Sequence, residues 1–187
     1  KIKNDMIVGA EILNPVKVET TYQWEAAVQA FAEFPKAMIA NQGKMDVITS
    51  ATGSVNQYNQ AAQMALDIAS GKYTGNVYYG VARDYGHGHV IMKVTVDKAA
   101  NKILAVEVVP AQKTDDPAET RAENKPVTGY PWPQAIEAYK KVPAQIVEKQ
   151  SLNIDVISGA TGTCTDFVAA VEHALEQAGM DPRNFKK

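Results

Sequence analysis

Three short stretches of the chain carry the hydrophobic pattern of β-strands. Residues 90–96 read VIMKVTV, in which apolar and other positions alternate as in a half-buried strand. Residues 7–12 and 102–109 are rich in β-branched side chains at strand length. We expect residues 90–96 and 103–109 to form a β-hairpin, with residues 97–102 as the connection.

The spacing of apolar residues elsewhere is typical of helices. It predicts helices at Trp24–Phe31 and Pro133–Lys141, each followed by a second short helix at Lys36–Asn41 and Ala144–Lys149, and then two longer amphipathic helices at about Asn56–Ser70 and about Asp166–Gly179. Gly71 and Gly179 stand where helix-ending glycines belong. Helices and strands that do not strictly alternate indicate an α+β fold, here an antiparallel sheet with packed helices.

One short phrase occurs twice. Asp46–Ser54 reads DVITSATGS and Asp155–Thr163 reads DVISGATGT, with six of nine positions identical. Trp24 and Trp132 precede similar helical segments at nearly the same offset. The order of matches predicts a pseudo-repeated chain. Residues 1–70 are the first copy, which lacks an opening hairpin, and residues 71–187 are the second, complete copy.

Composition narrows the class of protein. The 187 residues carry a net charge of −2, which argues against a nucleic-acid partner, and no stretch is long and apolar enough to span a membrane. Cys164 is the lone cysteine, so an intramolecular disulfide is excluded. Because the chain begins with Lys1 instead of Met, we expect a mature form from which an export signal has been removed.

The phrase has the chemistry of an anion site at a helix start. Residues 158–160 are small enough for a tight turn, and Thr163, Thr165 and Asp166 are all able to cap the following helix. Amides at such a helix start favour a phosphate, which would place the hydroxyl of Thr161 beside it. Capping alone is the simpler interpretation, but it needs one or two residues and does not require the Asp at the far end.

The chain resembles the FMN-binding domain family in three features. These are the motif Asp-x-x-[Ser/Thr]-[Gly/Ser]-Ala-Thr, the helix that follows it, and an upstream unit of GKYTG and two strands. That family includes flavin-carrying subunits of the sodium-pumping NADH:quinone reductase and the Rnf complex, and extracytoplasmic modules of respiratory chains. The resemblance implies that a flavin transferase cleaves FAD and attaches FMN through a phosphoester to the last Thr of the motif.

The resemblance also assigns roles to residues of this chain. Thr161 would be the attachment residue, and the first copy offers Thr52 as a second acceptor. The remaining motif positions expected to contact or position the cofactor are Asp155, Ser158, Gly159, Ala160, Gly162 and Thr163 in the second copy, and Asp46 and Thr49 in the first. Ser50 replaces the more usual Gly. No catalytic residue and no metal ligand is predicted.

Other candidates have simpler interpretations. His87 and His89 lie in a Gly-rich segment that favours a hairpin end over a metal site. Cys164 is expected to pack in the core, and His173 to lie at the surface or boundary. Trp24 and Trp132 are equally compatible with flavin stacking and with structural anchoring. Tyr73, Tyr78 and Tyr79 are compatible with a pocket wall, but a cross-strand aromatic cluster is the default.

Two functions remain open on the sequence. The first is an extracytoplasmic electron-transfer flavoprotein that carries FMN on Thr161, with Thr52 as a second candidate acceptor. It would be matured by a flavin transferase, work with a redox partner protein, and associate with membranes through segments outside this chain. The alternative is a module that binds FMN non-covalently or has lost flavin while keeping the fold. A reductase acting on a small substrate is disfavoured, because no supported proton donor is evident.

Overall fold

The computed structural model describes residues 1–13, 17–19, 22–82, 90–109 and 132–187. The chain divides into two compact units, Lys1–Tyr73 (unit 1) and Thr74–Lys187 (unit 2). Together they contain helices and two small antiparallel sheets, which confirms the predicted α+β class. That the two units are copies of one domain stays a prediction.

Unit 1 consists of a minimal hairpin and two helices. Strands β1 (Ile2–Lys3) and β2 (Met6–Ile7) pair around Asn4 and Asp5, whose positive φ angles of 51° and 59° fit a two-residue hairpin turn. The predicted strand over residues 7–12 is therefore wrong beyond Ile7. Val8 is 52% exposed, whereas Ala10 and Ile12 are partly buried and pack against the core of unit 1, so this segment contacts the core without pairing in a sheet.

Helices α1 (Glu25–Asn41) and α2 (Thr52–Ala69) enclose the core of unit 1. The core consists of Ile7, Ala30, Phe34, Met38, Met45, Ala51, Val55 and Tyr58. The rings of Phe34 and Tyr58 meet edge to face at 5.3 Å. This packing holds the loop between the two helices, which carries Asp46–Ala51 of the phrase.

Unit 2 is built on a three-stranded antiparallel sheet. The strands β3 (Val77–Ala82), β4 (Val90–Asp97) and β5 (Lys102–Val109) lie in that order, with β4 in the centre. The hairpin predicted between β4 and β5 is confirmed. On β4 the residues Val90, Ile91 and Met92 are buried in succession, and from Met92 to Val96 buried residues alternate with half-buried ones.

Two helices pack against this sheet. Helix α3 (Pro133–Lys149) contacts β5, and helix α4 (Thr161–Gln177) contacts β3 and β4. The approach of α4 to β3 is very close at Gly80, because a Cβ atom there would lie 1.7 Å from the carbonyl oxygen of Ala170. Gly80 therefore sets how near the helix comes to the sheet. A 3-10 turn at Pro182–Phe185 completes the unit and buries Phe185.

Helices α1 and α3 each run through an internal proline. The prediction that two shorter helices occupy each stretch is wrong, since Pro35 and Pro143 lie inside single helices of 17 residues. In α3 the buried residues Ala138, Val142 and Ile146 follow one another at four-residue spacing across the proline. This continuous buried stripe offsets the loss of one backbone hydrogen bond.

Both long helices after the phrase end as expected. Gly71 and Gly179 have φ angles of +72° and +73° just beyond α2 and α4. This left-handed conformation is available to glycine at little cost. Within the part of the chain that the structure describes, no helix combines the length and apolar character needed to cross a bilayer.

Candidate functional site

The last three residues of the phrase of unit 2, Thr161–Thr163, form the first turn of α4. The helix begins at Thr161, with Ala160 as its N-cap, and not near Asp166 as the periodicity predicted. Thr163, Thr165 and Asp166 consequently lie inside the first turns, and the N-cap makes no side-chain hydrogen bond, so the predicted capping role is wrong. Burial of Ala160 and Cys164 anchors the early start of the helix.

The hydroxyl of Thr161 is available at this helix end. Thr161 and Gly162 are exposed, and a Cβ atom on Gly162 would meet nothing within 4 Å. The first amide that bonds within α4 is that of Cys164, which donates to the carbonyl of Ala160 at 3.0 Å. The amides of residues 161–163 therefore have no partner within the helix, at the positive end of its dipole. This arrangement fits a phosphate group.

A tight turn presents Thr161. The amide of Ala160 donates to the carbonyl of Ile157 at 2.9 Å, and Gly159, the third residue of the turn, has a φ of +81°. The indole N–H of Trp132 donates to the carbonyl of Gly159 at 2.6 Å. The Trp132 ring is nevertheless 54% exposed, so this tryptophan anchors the turn and also offers an open aromatic face.

The start of the phrase is held by two side chains of α3. The amide side chain of Gln145 accepts a hydrogen bond from the backbone N–H of Asp155 at 2.8 Å, and it donates one to the carbonyl of the same residue at 3.4 Å. Lys149 forms an ion pair with the Asp155 carboxylate at 2.6 Å. Neither residue was predicted from the sequence, although their four-residue spacing places them on one helix face.

The phrase of unit 1 has a similar local structure. Thr52 is exposed at the first residue of α2, and the amide of Ala51 donates to the carbonyl of Ile48 at 2.9 Å. The indole N–H of Trp24 donates to the carbonyl of Ser50 at 3.0 Å. Asp46 and Thr49 are exposed, as are Asp155 and Ser158 in unit 2. The phrase thus presents a threonine hydroxyl at a helix start in each unit.

Gln42 and Gln150 make a second pair of matching contacts that was not predicted from the sequence. Gln42 and Gln150 end α1 and α3 in the left-handed conformation. The side chain of each bonds both backbone groups of one strand residue, Ile7 for Gln42 and Ile103 for Gln150. These contacts are compatible with the predicted repeat, which stays a prediction.

The two turns differ in backbone strain. Ser50 has a φ of 66°, at the position where unit 2 has Gly159. A residue with a Cβ atom pays roughly 1 kcal/mol to adopt this conformation. We expect Ser50→Gly to stabilise unit 1 and Gly159→Ser to destabilise unit 2, each by about 1 kcal/mol. Urea unfolding of both variants checks this, and equal midpoints for all three proteins would contradict it.

The other predicted candidates lie apart from the phrase or serve packing. Cys164 is 1% exposed and confirmed as a core residue, whereas His173 is exposed and accepts a hydrogen bond from the amide of Val81 at 3.1 Å. Tyr78 is buried, and Tyr79 is 40% exposed. His87, His89 and residues 110–131 fall outside the described residues. Among the described residues, no three His, Cys, Asp or Glu side chains are grouped to hold a metal ion.

Comparisons with known proteins point to one cofactor. The sequence profile of the FMN-binding domain matches residues 86–176, which include Asp155, Thr161 and most of α4. A segment of 115 residues, 61% of this chain, is 32% identical to an NADH:acrylate oxidoreductase of Vibrio harveyi. That segment is only 9% of the oxidoreductase, so the chain is similar to a small part of it. No solved structure matches.

Proposed function

Because residues 86–176 belong to the FMN-binding domain family, with FMN as the cofactor, we propose that the protein carries this FMN as a phosphoester on Thr161. The family match and the similarity to an NADH:acrylate oxidoreductase support an FMN-carrying electron-transfer protein. The observation that carries the attachment proposal is the exposed Thr161 hydroxyl at the start of α4, beside three amides without helix partners.

Each part of the site contributes a distinct interaction. The amides of residues 161–163 and the dipole of α4 stabilise the negative charge of the phosphate. The left-handed turn at Gly159, held by Trp132, points the chain into α4 so that Thr161 is its first residue. Bound FMN supplies one- and two-electron chemistry, for which the protein provides position and electrostatics.

We propose that the flavin transferase recognises the side chain of Asp155. Its side chain is 82% exposed, and its ion pair with Lys149 lies at the surface, where such pairs contribute about 0–1 kcal/mol. A carboxylate that mainly stabilises the fold would be expected to be less exposed. The exposed carboxylate therefore suits recognition by a second protein.

We expect Asp155→Asn to slow flavin attachment while changing the free energy of unfolding by less than about 1 kcal/mol. A time course of intact mass with an active transferase measures attachment, and urea unfolding measures stability. Lys149→Met is the matched control, since it removes the same ion pair but keeps the carboxylate. Equal slowing in both variants would show that the ion pair, not recognition, matters.

The location and partners belong to the same proposal. A covalent tether retains the cofactor outside the cytoplasm, so we place the protein in an extracytoplasmic compartment. There it exchanges electrons with a redox partner protein, and a flavin transferase matures it. Thr52 is a second proposed attachment site, because it too is exposed at the first residue of a helix.

Denaturation tests the covalent bond directly. The protein is produced in exported form together with a flavin transferase and then unfolded before separation from small molecules. Flavin that remains with the chain supports attachment. Flavin released from the unfolded chain supports the alternative, a module that binds FMN without a bond. A transferase substrate of known activity serves as the control for incomplete maturation.

A further inference from the structure

A buried lysine lies against the first turn of α2 in unit 1. Lys17 is 6% exposed, and its ammonium donates to the hydroxyl of Ser54 at 2.8 Å. The same nitrogen lies 5.0 Å from the ring centre of Tyr22 and 5.5 Å from that of Tyr58. One hydroxyl and two aromatic faces therefore replace much of the water around this cation, and burial lowers the pKa of Lys17.

Within the described part of the chain, the charge of Lys17 has no acidic counterpart. The ion pairs found among the described residues involve other lysines and arginines. A buried charge without an ion-pair partner is costly, and cation–π contacts offset only part of that cost. An anion bound beside the ammonium would supply the missing charge.

A second buried polar group points to the same place. Tyr58 is 5% exposed, and none of the residues that the structure describes bonds its hydroxyl. Burial, followed by the influence of Tyr22, raises the pKa of Tyr58 to about 12. Tyr58 follows Ser54 by four residues, so both lie on one face of α2. Helical side chains lean toward the N-terminus, which directs the Tyr58 ring over the first turn.

Packing does not require the hydroxyl of Tyr58. At the offset between the two phrases, the equivalent residue of unit 2 is Phe167, which is fully buried. An apolar ring is thus sufficient to fill the core at this position. A buried hydroxyl that packing does not need and that lacks a partner suggests a ligand as its partner.

The backbone adds donors at the same turn. The first amide that bonds within α2 is that of Val55, which donates to the carbonyl of Ala51 at 3.0 Å. The amides of residues 52–54 therefore have no partner within the helix. An ammonium, a phenol hydroxyl and helix-start amides are all hydrogen-bond donors, and together they complement an oxyanion.

We propose that unit 1 binds a phosphate group at the first turn of α2, with Lys17 as its counter-ion and Tyr58 as a hydrogen-bond donor. An open cleft of about 730 Å³ on Tyr22–Ala26 borders the cluster at Tyr22. The group is the phosphate of a free nucleotide such as FMN, or that of a phosphoester on Thr52. The proposal does not depend on flavin attachment to Thr161.

Calorimetric titration with inorganic phosphate tests the site at constant ionic strength. We expect Lys17→Met to weaken phosphate binding about tenfold or more, and Tyr58→Phe to weaken it severalfold. Lys36→Met, which removes an exposed lysine on α1, is the matched control and is expected to bind as the wild type does. Absence of binding to the wild type, or equal binding by Lys17→Met, would overturn the proposal.

Thermal unfolding without phosphate separates a binding role from a structural one. Both Lys17→Met and Tyr58→Phe remove a polar group that lacks a full set of partners, so we expect unfolding midpoints equal to or above that of the wild type. Added phosphate should raise the midpoint of the wild type and not that of Lys17→Met. A lower midpoint for Lys17→Met together with an unchanged phosphate effect indicates a structural lysine and rejects the site.

The source of the phosphate is distinguished in a Thr161→Val background, which lacks the proposed attachment residue of unit 2. FMN and inorganic phosphate are titrated into this protein, with Lys17→Met as the reference for binding elsewhere. Lys17-dependent binding of FMN at least tenfold tighter than that of phosphate identifies the phosphate end of a flavin site. Equal Lys17-dependent affinities identify recognition of phosphate alone. If Lys17→Met changes the binding of neither FMN nor inorganic phosphate, the proposal is overturned, whatever the outcome at Thr161.

Discussion

Thr161→Val is expected to abolish covalent flavin attachment in unit 2. The substitution keeps the size and branching of the side chain but removes the hydroxyl that would form the phosphoester bond. Without that oxygen no ester forms, so the loss should be complete and not partial. Intact mass of protein matured by a transferase should show the increment of FMN less water in the wild type, and that increment should disappear from unit 2 in the variant.

Thr163→Val is the matched control for this experiment. Thr163 is a hydroxyl residue two positions further along α4 and is half-buried, whereas Thr161 is exposed. Thr52→Val reports separately on unit 1. Retention of the increment by Thr161→Val together with its loss from Thr52→Val would move the attachment to unit 1. If Thr161→Val and the double variant Thr52→Val/Thr161→Val both retain the mass increment, attachment to these two threonines is rejected.

Gly80→Ala should strongly destabilise unit 2. The added Cβ would lie 1.7 Å from the carbonyl oxygen of Ala170 and 2.7 Å from the amide nitrogen of Ala174, so both contacts are with the backbone of α4. A backbone cannot move aside as a flexible side chain does, and α4 must shift away from β3. We expect a loss of about 3 kcal/mol or more in the free energy of unfolding.

Thermal and urea unfolding measure this loss, with Gly162→Ala as the control. Gly162 lies in the first turn of α4 with open space around it, so an alanine there should be neutral or stabilise the helix by up to about 1 kcal/mol. Similar stability for Gly80→Ala and the wild type would show that α4 does not press on β3 as closely as described.

The β4–β5 hairpin and the two helix-ending glycines were predictable because their signals are local. Alternation over residues 90–96 reflects the pleat of a single strand, and Gly71 and Gly179 provide a backbone conformation that their own position demands. The start of α4 was harder to predict. Polar residues at 161–166 suggested a loop with caps, but burial of Cys164 and Phe167 against the rest of unit 2 extends the helix to Thr161.

The residues around the candidate sites divide in the same way. The repeated phrase and its family resemblance predicted Thr161, Asp155 and Thr52 as candidate site residues, and these roles stay predictions. Gln145 and Lys149 were not identified, because an exposed Gln and Lys on a helix resemble any solvated face until the fold brings Asp155 beside them. Lys17 likewise reads as an ordinary surface lysine, and only the packing of Tyr22 and Tyr58 around it shows that it is buried.

The sequence by itself determined the α+β class, the hairpin, the repeated phrase and the family resemblance with its flavin cofactor. These depend on residue types at short spacing, which constrain the backbone wherever the segment lies. The tertiary structure alone decided the continuous helices through Pro35 and Pro143, the close approach at Gly80 and the buried ammonium of Lys17. Each of these depends on burial against residues distant in the chain, and the local spacing of residue types does not predict those contacts.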